Sequence, residues 1–473
     1  MGRLSIGHKK GLKGSSIRIR RCAICWPSGA GRSSEAYGLR AKRDRPFSAV
    51  AMTKQKICIF TETYYPVVGG GETQARLLAE HLVAHGSSVI ILTRRSDSSL
   101  KKIERFGGIT VYRLPPVGRG QLRKWGLIFS SLPLLIKLRH HYDLIFVSGF
   151  RIIGVAAVLA GMMLHKAVVL KADSRGEMSG KFFTDGLAKF RLSPASFPFS
   201  WFLWARNRIL KRADAFASIT PEQTAELIAA GVDTGAIRVI PNSVDISRFH
   251  PVDEQQKSAL RAKLGLPHSG KIVIYTGRLV SYKGLPLLLR VWHAIQRKHP
   301  CSTLVLAGAG GLDIHNCEAD LRAYVSANNL ENAVCLVGSV QNVQEYLQAS
   351  DVFVLPTEED AFPSSLIEAM ACRLAVVTTP VGAIETIVAD KQSGLMVRPG
   401  DFQQLYDALD TLLTDTKLIA HLGRAGWQAV QDRYSAEMVT RAYEQLFCQI
   451  ARSTGAVPGQ VNDDSNGAGP RKS

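Results

Sequence analysis

The sequence predicts an α/β protein made of two Rossmann-like, doubly wound domains that face each other across a cleft. Three observations carry this expectation. From Lys56 onward, short apolar runs alternate with stretches of helical periodicity, the pattern of a parallel sheet covered by helices. The alternation starts afresh after Ile237–Asp245, with a new strand from Lys271. The 473 residues are 46% hydrophobic, enough for two or three ordinary domains with a sizeable core.

Residues 1–51 stand apart. They carry twelve Lys/Arg and two acids, so they hold half of the net charge of +20. The segment is rich in Arg, Gly and Ser, shows neither period, and lacks the apolar centre of a secretory signal. It reads as a targeting peptide or as an upstream extension with the working start at Met52. The second reading is favoured by the clean strand KICIF that follows Met52.

In chain order, strands are expected at Ile57–Phe60, Val89–Thr93, Thr110–Leu114, Leu144–Val147, Val168–Leu170 and Phe216–Ile219, with helices between them. The first helix places Leu77, Leu78 and Leu82 on one face and stops at Gly86. The apolar run Ile152–Leu164 is too short to span a bilayer and reads as a buried helix. The second series comprises Lys271–Leu279, Thr303–Ala307, Ala333–Val337, Val352–Leu355, Ala375–Thr378 and Gly394–Asp401. The expected division is therefore 1–51 leader, 52–235 first domain, 236–430 second domain, 431–452 C-terminal helices that return to the first domain, and 453–473 a disordered Gly/Pro/Ser/Asn-rich tail. Cys22 and Cys25 form a lone C-x-x-C with no partner pair at zinc spacing. Cys58, Cys301, Cys335 and Cys372 lie among apolar residues and read as reduced core thiols, which suits a cytoplasmic protein.

Four stretches could carry chemistry, all at strand ends, where open α/β sheets bind ligands. Gly69–Gly71 follow the first strand and open a helix; glycine admits close approach by a phosphate or sugar, but a triple glycine also makes a plain tight turn. In YTGRLVSYKG, Arg278 and Lys283 follow a strand and are flanked by Gly277 and Gly284. Two cations there can clamp a diphosphate, although solvated loop charges are the commoner fate. LVLAGAGG runs a strand into Gly308. In EEDAFPSSLIEAM, Asp360 and Glu368 lie either side of Phe362-Pro363 at a strand-to-helix turn. Acids near a helix start are common; carboxylates are also strong acceptors for paired sugar or ribose hydroxyls.

Taken together, IPNSVDISRF, GRLVSYKG, LVLAGAGG, ASDVFVLPTEEDAFPSSLIEAMAC and TPVGAIETIVADKQSGLMVRPGD resemble the C-terminal domain of family-4 retaining glycosyltransferases of the GT-B fold. KICIFTETYYPVVGGGETQARLLAEHLVAHG resembles that family's opening strand, glycine loop and helix. The resemblance implies that Asp360 contacts donor-sugar hydroxyls, Glu368 the ribose, and Arg278 and Lys283 the diphosphate. Gly70 and Gly71 would lie near phosphates and acceptor, while Gly277, Gly308, Phe362 and Pro363 would complete the donor site. Arg278, Lys283 and Asp360 would act in catalysis, with no metal and no cofactor.

The chain departs from the pattern in several places. Asp360 replaces the usual Glu, Ser243 and Arg373 stand where glycine is usual, and the His common after the mid-domain strand is missing from LKADSRGEMSG. Asp173, Arg175 and Glu177 are the polar candidates there for the acceptor side. The expected activity is transfer of a sugar from a nucleotide-sugar donor to a glycan, lipid-linked or small-molecule acceptor. Its rivals are a noncatalytic nucleotide-sugar-binding protein and a GT-B-like epimerase. Nucleic-acid binding is disfavoured, since half of the charge sits in the leader. LRKWGLIFSSLPLLIKLRHH and FPFSWFLWARNRILKR mix Trp, Phe and Leu with clustered Arg and Lys. They read as helices packed on the sheet or as peripheral contacts with the cytoplasmic membrane face.

Overall fold

The computed structural model describes residues 54–453 apart from 68, 119–120, 181–195, 198 and 312. The expectations for the leader, for Cys22 and Cys25, and for the tail beyond 453 lie outside the described residues. The chain divides between Ala51 and Met52, and the described residues all belong to the second unit.

The first half of this unit is an eight-stranded sheet of β1 (Lys56–Thr61), β2 (Ser88–Arg94), β3 (Ile103–Phe106), β4 (Ile109–Leu114), β5 (Leu144–Ser148), β6 (Ala167–Lys171), β7 (Ala215–Ser218) and β8 (Ile237–Val239). The strand order is β3-β4-β2-β1-β5-β6-β7-β8, parallel except for the β3–β4 hairpin. Among the described residues the helices α1 (Gly70–Ala84), α2 (Gln121–Lys137), α3 (Ile153–Leu164), α4 (Phe199–Leu210) and α5 (Pro221–Ala229) accompany it. The second half is a parallel sheet of β9 (Ile272–Thr276), β10 (Thr303–Ala307), β11 (Val334–Gly338), β12 (Val352–Leu355), β13 (Ala375–Thr378) and β14 (Leu395–Met396), in the order β11-β10-β9-β12-β13-β14. With it go α6 (Glu254–Lys263), α7 (Leu285–Gln296), α8 (Glu318–Ala327), α9 (Val343–Gln348), α10 (Ser364–Ala371), α11 (Ile384–Ile387) and α12 (Phe402–Thr414). Each sheet reverses its winding once, at β1/β5 and at β9/β12, and a crevice opens at such a point.

The physical cause is burial on both faces. β1, β5, β9 and β10 are largely apolar and buried, as strands covered from two sides must be. The helices supply the cover through one apolar stripe each. In α7 the buried positions Leu285, Leu288, Leu289, Trp292 and Ile295 follow the helical period. In α1, Leu77, Leu78 and Leu82 do the same, and the helix ends before Gly86, whose φ is +88°.

Three sequence expectations need correction. The sequence places the second domain from residue 236, but Ile237–Val239 pairs with β7 as the edge of the first sheet; a three-residue strand, Ile-Arg-Val, does not reveal which sheet it joins. The strand Ile103–Phe106 is not expected from the sequence because it is largely exposed and carries Glu and Arg. Its signal is the turn Gly107-Gly108, where both residues have positive φ (55° and 79°), as a two-residue hairpin turn requires. Cys301 is exposed, just before β10, whereas Cys58 and Cys372 are buried and Cys335 is half-buried.

The chain crosses between the halves twice, and the crossings run side by side. After β8 it passes through Pro241–Val244; after α13 (Thr416–Arg433) it returns into α14 (Ala436–Ser453). The Val244 amide donates to the Tyr434 carbonyl at 2.8 Å, and the Ala436 amide donates to the Val244 carbonyl at 2.9 Å. α14 then packs on the first half: Val439, Tyr443, Leu446, Phe447 and Ile450 share one core with Ile57, Ile59 and Phe146. Phe146 meets Tyr443 edge-on at 5.1 Å.

Two departures from the family pattern are placed by this geometry. Ser243 is held by Gln74 of α1. The Gln74 amide donates to the Ser243 carbonyl at 2.8 Å, and its oxygen accepts from the Ser243 amide at 2.7 Å and hydroxyl at 3.1 Å. Arg373, just past α10, has φ +65°, the left-handed region that favours glycine. Both Gln74 and Ser243 are buried. Gln74→Ala therefore strands a buried amide and should cost about 1–3 kcal/mol. Urea denaturation of parent and variant measures this, and Gln74→Glu, which keeps the acceptor, should retain part of the stability.

Candidate active site

At the switch point of the second sheet, β9 ends in Gly277 and β10 in Gly308. Their φ values are +146° and +152°, and a Cβ on Gly308 would lie 1.7 Å from the Gly277 carbonyl oxygen. The two strand ends touch so closely that side chains are excluded. Beyond them lies a cavity of about 350 Å³ lined by Gly277, Arg278, Gly308, Ser339, Val340, Ser365 and Glu368, among others.

Glu368 sits in the second turn of α10, half-buried on the cavity wall. Its carboxylate makes no hydrogen bond to any described residue. Burial pushes its pKa up to about 7, against the pull of the Arg248 cation. Of the two expected cations, Arg278 lines the cavity and Lys283 does not; each is met by a carboxylate. Lys283, at the end of the 3-10 turn Ser281–Lys283, pairs with Asp360 and is largely buried. Arg278 is exposed, pairs with Asp313, and donates to the Tyr282 hydroxyl at 2.7 Å. The Tyr282 ring lies 5.9 Å from Arg278 and 5.5 Å from Lys283, so one aromatic ring sits within reach of both cations.

Phe362 and Pro363 are placed differently from Glu368. Phe362 is buried and meets Tyr434 at 6.0 Å, beside the second crossing. Pro363 is the N-cap of α10. Neither lines the cavity; they set the turn from which Glu368 projects. The loop is held further by Gly382, where a Cβ would fall 2.0 Å from the Asp360 carbonyl oxygen.

On the first half, α1 starts at Gly70 with extended Gly69 as its N-cap. Nothing lies within 4 Å of a Cβ on Gly70, while one on Gly71 would lie 3.1 Å from the Asp173 carboxylate. Asp173 accepts from the Ser148 hydroxyl at 2.7 Å and pairs with Lys171. The glycine loop and the ends of β5 and β6 thus converge on Asp173 at the first sheet's switch point. Arg175 reaches across the cleft to the Asp360 carbonyl at 3.4 Å.

Glu177 is not at the cleft surface. It is buried, and one oxygen accepts from the Asp173 and Ser174 amides at 3.0 and 3.1 Å. Burial and the nearby Asp173 charge raise its pKa to about 7, opposed by Arg151. Glu226 accepts from the amides of Gly176, Met178 and Ser179, and Arg206 donates to the carbonyls of Glu177 and Met178. The 173–179 loop forms a shelf held by Glu177, Glu226 and Arg206.

Sequence reasoning missed Tyr282, Asp313 and Ser365. Tyr282 was the legible one, since it lies between the two cations within YTGRLVSYKG.

Two strand-switch crevices facing each other, one with a carboxylate that no described residue satisfies and one with a glycine-opened helix, define a GT-B protein. The description Glycosyltransferase Family 4 matches residues 68–248, and Glycosyl transferases group 1 matches residues 256–428. The chain belongs to this glycosyltransferase family. It is 30% identical over 260 residues to a D-inositol 3-phosphate glycosyltransferase of Corynebacterium jeikeium, covering 51% of this chain and 59% of that protein. To the protein of the same name from Kineococcus radiotolerans it is 26% identical over 423 residues, covering 82% of this chain and 93% of that one. Its fold matches sucrose-phosphate synthase from Thermosynechococcus elongatus with a TM-score of 0.66 at 24% identity, covering 85% of this chain and 100% of that one. It matches Anabaena HepE, solved in complex with UDP and glucose, with a TM-score of 0.64 at 19% identity over the same shares. The match thus spans only 59% of the length of the first of these relatives.

Proposed function

We propose that the protein is a retaining glycosyltransferase that moves a sugar from a nucleotide-sugar donor to a glycan, lipid-linked or small-molecule acceptor in glycoconjugate or polysaccharide biosynthesis. The observation that carries this is the cavity beyond Gly277 and Gly308, with the Glu368 carboxylate on its wall, Arg278 in its lining and Lys283 beside the same Tyr282 ring as Arg278. A nucleoside fits the cavity, its ribose diol donating to Glu368. The diphosphate then falls at the rim. The Anabaena relative's complexes with UDP and with UDP-glucose support the donor class.

In the reaction the bond between the sugar's anomeric carbon and the diphosphate oxygen breaks, and the electron pair leaves with the nucleoside diphosphate. Arg278 and Lys283 stabilise that charge, in the role a divalent metal fills elsewhere; removal of one such preorganised donor costs a few kcal/mol. Asp360 keeps Lys283 in place and accepts from the sugar hydroxyls. The acceptor hydroxyl arrives from the first half, over the Asp173–Arg175 shelf. It adds to the face the diphosphate leaves, and its proton passes to the departing phosphate oxygen. A noncatalytic nucleotide-sugar-binding protein is the second reading, favoured by the missing histidine. Turnover of radiolabelled UDP-, GDP- and ADP-sugars separates the two: binding without transfer or hydrolysis supports the second.

Lys283→Ala should lower kcat about a hundredfold or more while the melting curve stays that of a folded protein, and Asp360→Asn should lower it less. A parental rate in Lys283→Ala would sink this assignment.

Donor binding should depend on pH through Glu368. Only the carboxylate accepts from a diol through both oxygens, and its pKa is raised to about 7. Affinity should therefore rise as pH climbs through 7 and level off above. Calorimetric titration with the nucleoside diphosphate in parent and Glu368→Gln tests this; the variant should bind about tenfold more weakly and lose that slope.

The acceptor side offers a lipid surface. α4 buries Leu203, Arg206 and Leu210 against the first half and exposes Trp201, Trp204 and Arg208, with exposed Lys211 and Arg212 following. The buried face packs as the first reading expects, and the exposed face is where a membrane contact would fall. In the companion stretch, α2 exposes Phe129, while the side chains of 121–125 lie outside the described residues. No described helix is long and apolar enough to cross a membrane. Aromatic residues with adjacent cations suit the interface of an anionic bilayer. The full chain should float with phosphatidylglycerol vesicles at low salt, and Trp201→Ser/Trp204→Ser should lose most of that binding. Equal binding to neutral phosphatidylcholine vesicles, or by the double variant, would contradict it.

A further inference from the structure

Far from the cleft, the last turn of α1 meets the start of α14. His81 and His85 lie four residues apart, the spacing that stacks side chains on one helical face. Glu437, the second residue of α14, faces both. Its Oε2 is 2.9 Å from His85 Nε2 and 3.9 Å from His81 Nδ1. These three atoms all lie within 4.8 Å of one another. Zinc binds nitrogen and carboxylate oxygen at about 2.0–2.2 Å, which sets tetrahedral ligands roughly 3.3 Å apart. The two distances bracket that spacing, so small side-chain rotations would complete the set.

The surroundings are those of a ligand set with its outer partners in place. His85 Nδ1 lies 3.0 Å from Glu444 Oε1, and Glu444 is 6% exposed. A buried carboxylate on the far ring nitrogen fixes the tautomer that turns the Nε2 lone pair toward a metal. The other Glu444 oxygen is buried with no hydrogen bond among the described residues. Glu437 is oriented in the same way: its Oε1 accepts from Arg441 Nε at 2.6 Å, which leaves Oε2 facing the imidazoles. His81, His85 and Glu437 are all half-buried, so water can reach a fourth position.

We propose that His81, His85 and Glu437 form a binding site for a zinc-class divalent ion that staples the returning helix α14 to α1. Two imidazoles with one carboxylate select zinc over magnesium or calcium, which prefer oxygen donors. The site joins a helix from the end of the chain to the helix whose other end forms the glycine loop. It is independent of the sugar-transfer reading, and its test needs no turnover.

The full chain, without a histidine tag and stripped with a chelator, is titrated with zinc chloride at pH 7.5. The expected result is one equivalent bound and a rise in Tm of a few degrees that excess EDTA reverses. His81→Ala and Glu437→Ala should each lower affinity at least tenfold. Glu444→Gln keeps all three ligands yet should weaken binding about 10- to 100-fold. Cobalt(II) provides a spectroscopic readout that does not depend on how stable the variants are. A visible band without thiolate charge transfer supports the site, and thiolate bands would assign the metal to the free cysteines instead. Zinc affinity unchanged in His81→Ala, or no zinc bound by the parent, overturns the proposal.

Discussion

The geometry of the cleft depends on the place where the chain crosses between its halves. Two strands of backbone pass there side by side, tied by the Val244–Tyr434 and Ala436–Val244 hydrogen bonds. Gln74 adds three more contacts to Ser243 from the helix that begins at the glycine loop. Each tie is ordinary in strength, near 1 kcal/mol net. Their importance is positional. Phe362 packs on Tyr434 at this same junction, and Glu368 projects from the turn that Phe362 anchors. A shift at the crossing would move the donor cavity and the Asp173 shelf relative to each other. Misplacement of about 1 Å can cost about a hundredfold in rate.

The cleft itself is arranged as paired opposite charges. Lys283 is matched by Asp360 and Arg278 by Asp313. Both cations are therefore compensated, and the half-buried Lys283 needs that partner more than the exposed Arg278 does. Asp360 holds Lys283, and its shorter chain keeps the carboxylate close to the lysine. Arg175 approaches the same loop from the other half, so the Asp360 backbone and side chain are addressed from both sides of the cleft. A longer Glu at 360 would carry its carboxylate about one bond farther from the backbone that Gly382 and Arg175 pin.

What was legible in the sequence was local. The change from strand to helical period at Lys56–Ala84, and the donor-side motifs, placed β1, α1 and the Glu368 turn, because a single stretch of chain builds each. What was not legible depends on distant partners. Nothing near Ser243 announces that Gln74, 169 residues earlier, holds its backbone and hydroxyl. β8 looks like the first strand of a new domain and is the last strand of the old one. His85 and Glu437 are 352 residues apart, and only the return of α14 brings them within hydrogen-bond reach. Arg373 is an intermediate case. The sequence marks it as unusual, and the left-handed backbone explains why glycine is the unstrained choice, but nothing in the structure explains why arginine is there.

Glu368 and Glu177 show why burial alone does not identify a functional carboxylate. Each is raised to about 7, and in each the largest cause is desolvation. Perturbed acids cluster at active sites, so each is a candidate by that measure. Their surroundings separate them. Glu177 already accepts from two backbone amides and the Ser174 hydroxyl, and its work is to hold the loop that carries Asp173 and Arg175. Glu368 accepts from no described residue and opens onto a cavity large enough for a nucleoside. Glu177 Oε2 is itself buried without a hydrogen bond among the described residues, so an unpartnered oxygen does not tell the two apart; what distinguishes Glu368 is that it lines the cavity beyond Gly277 and Gly308.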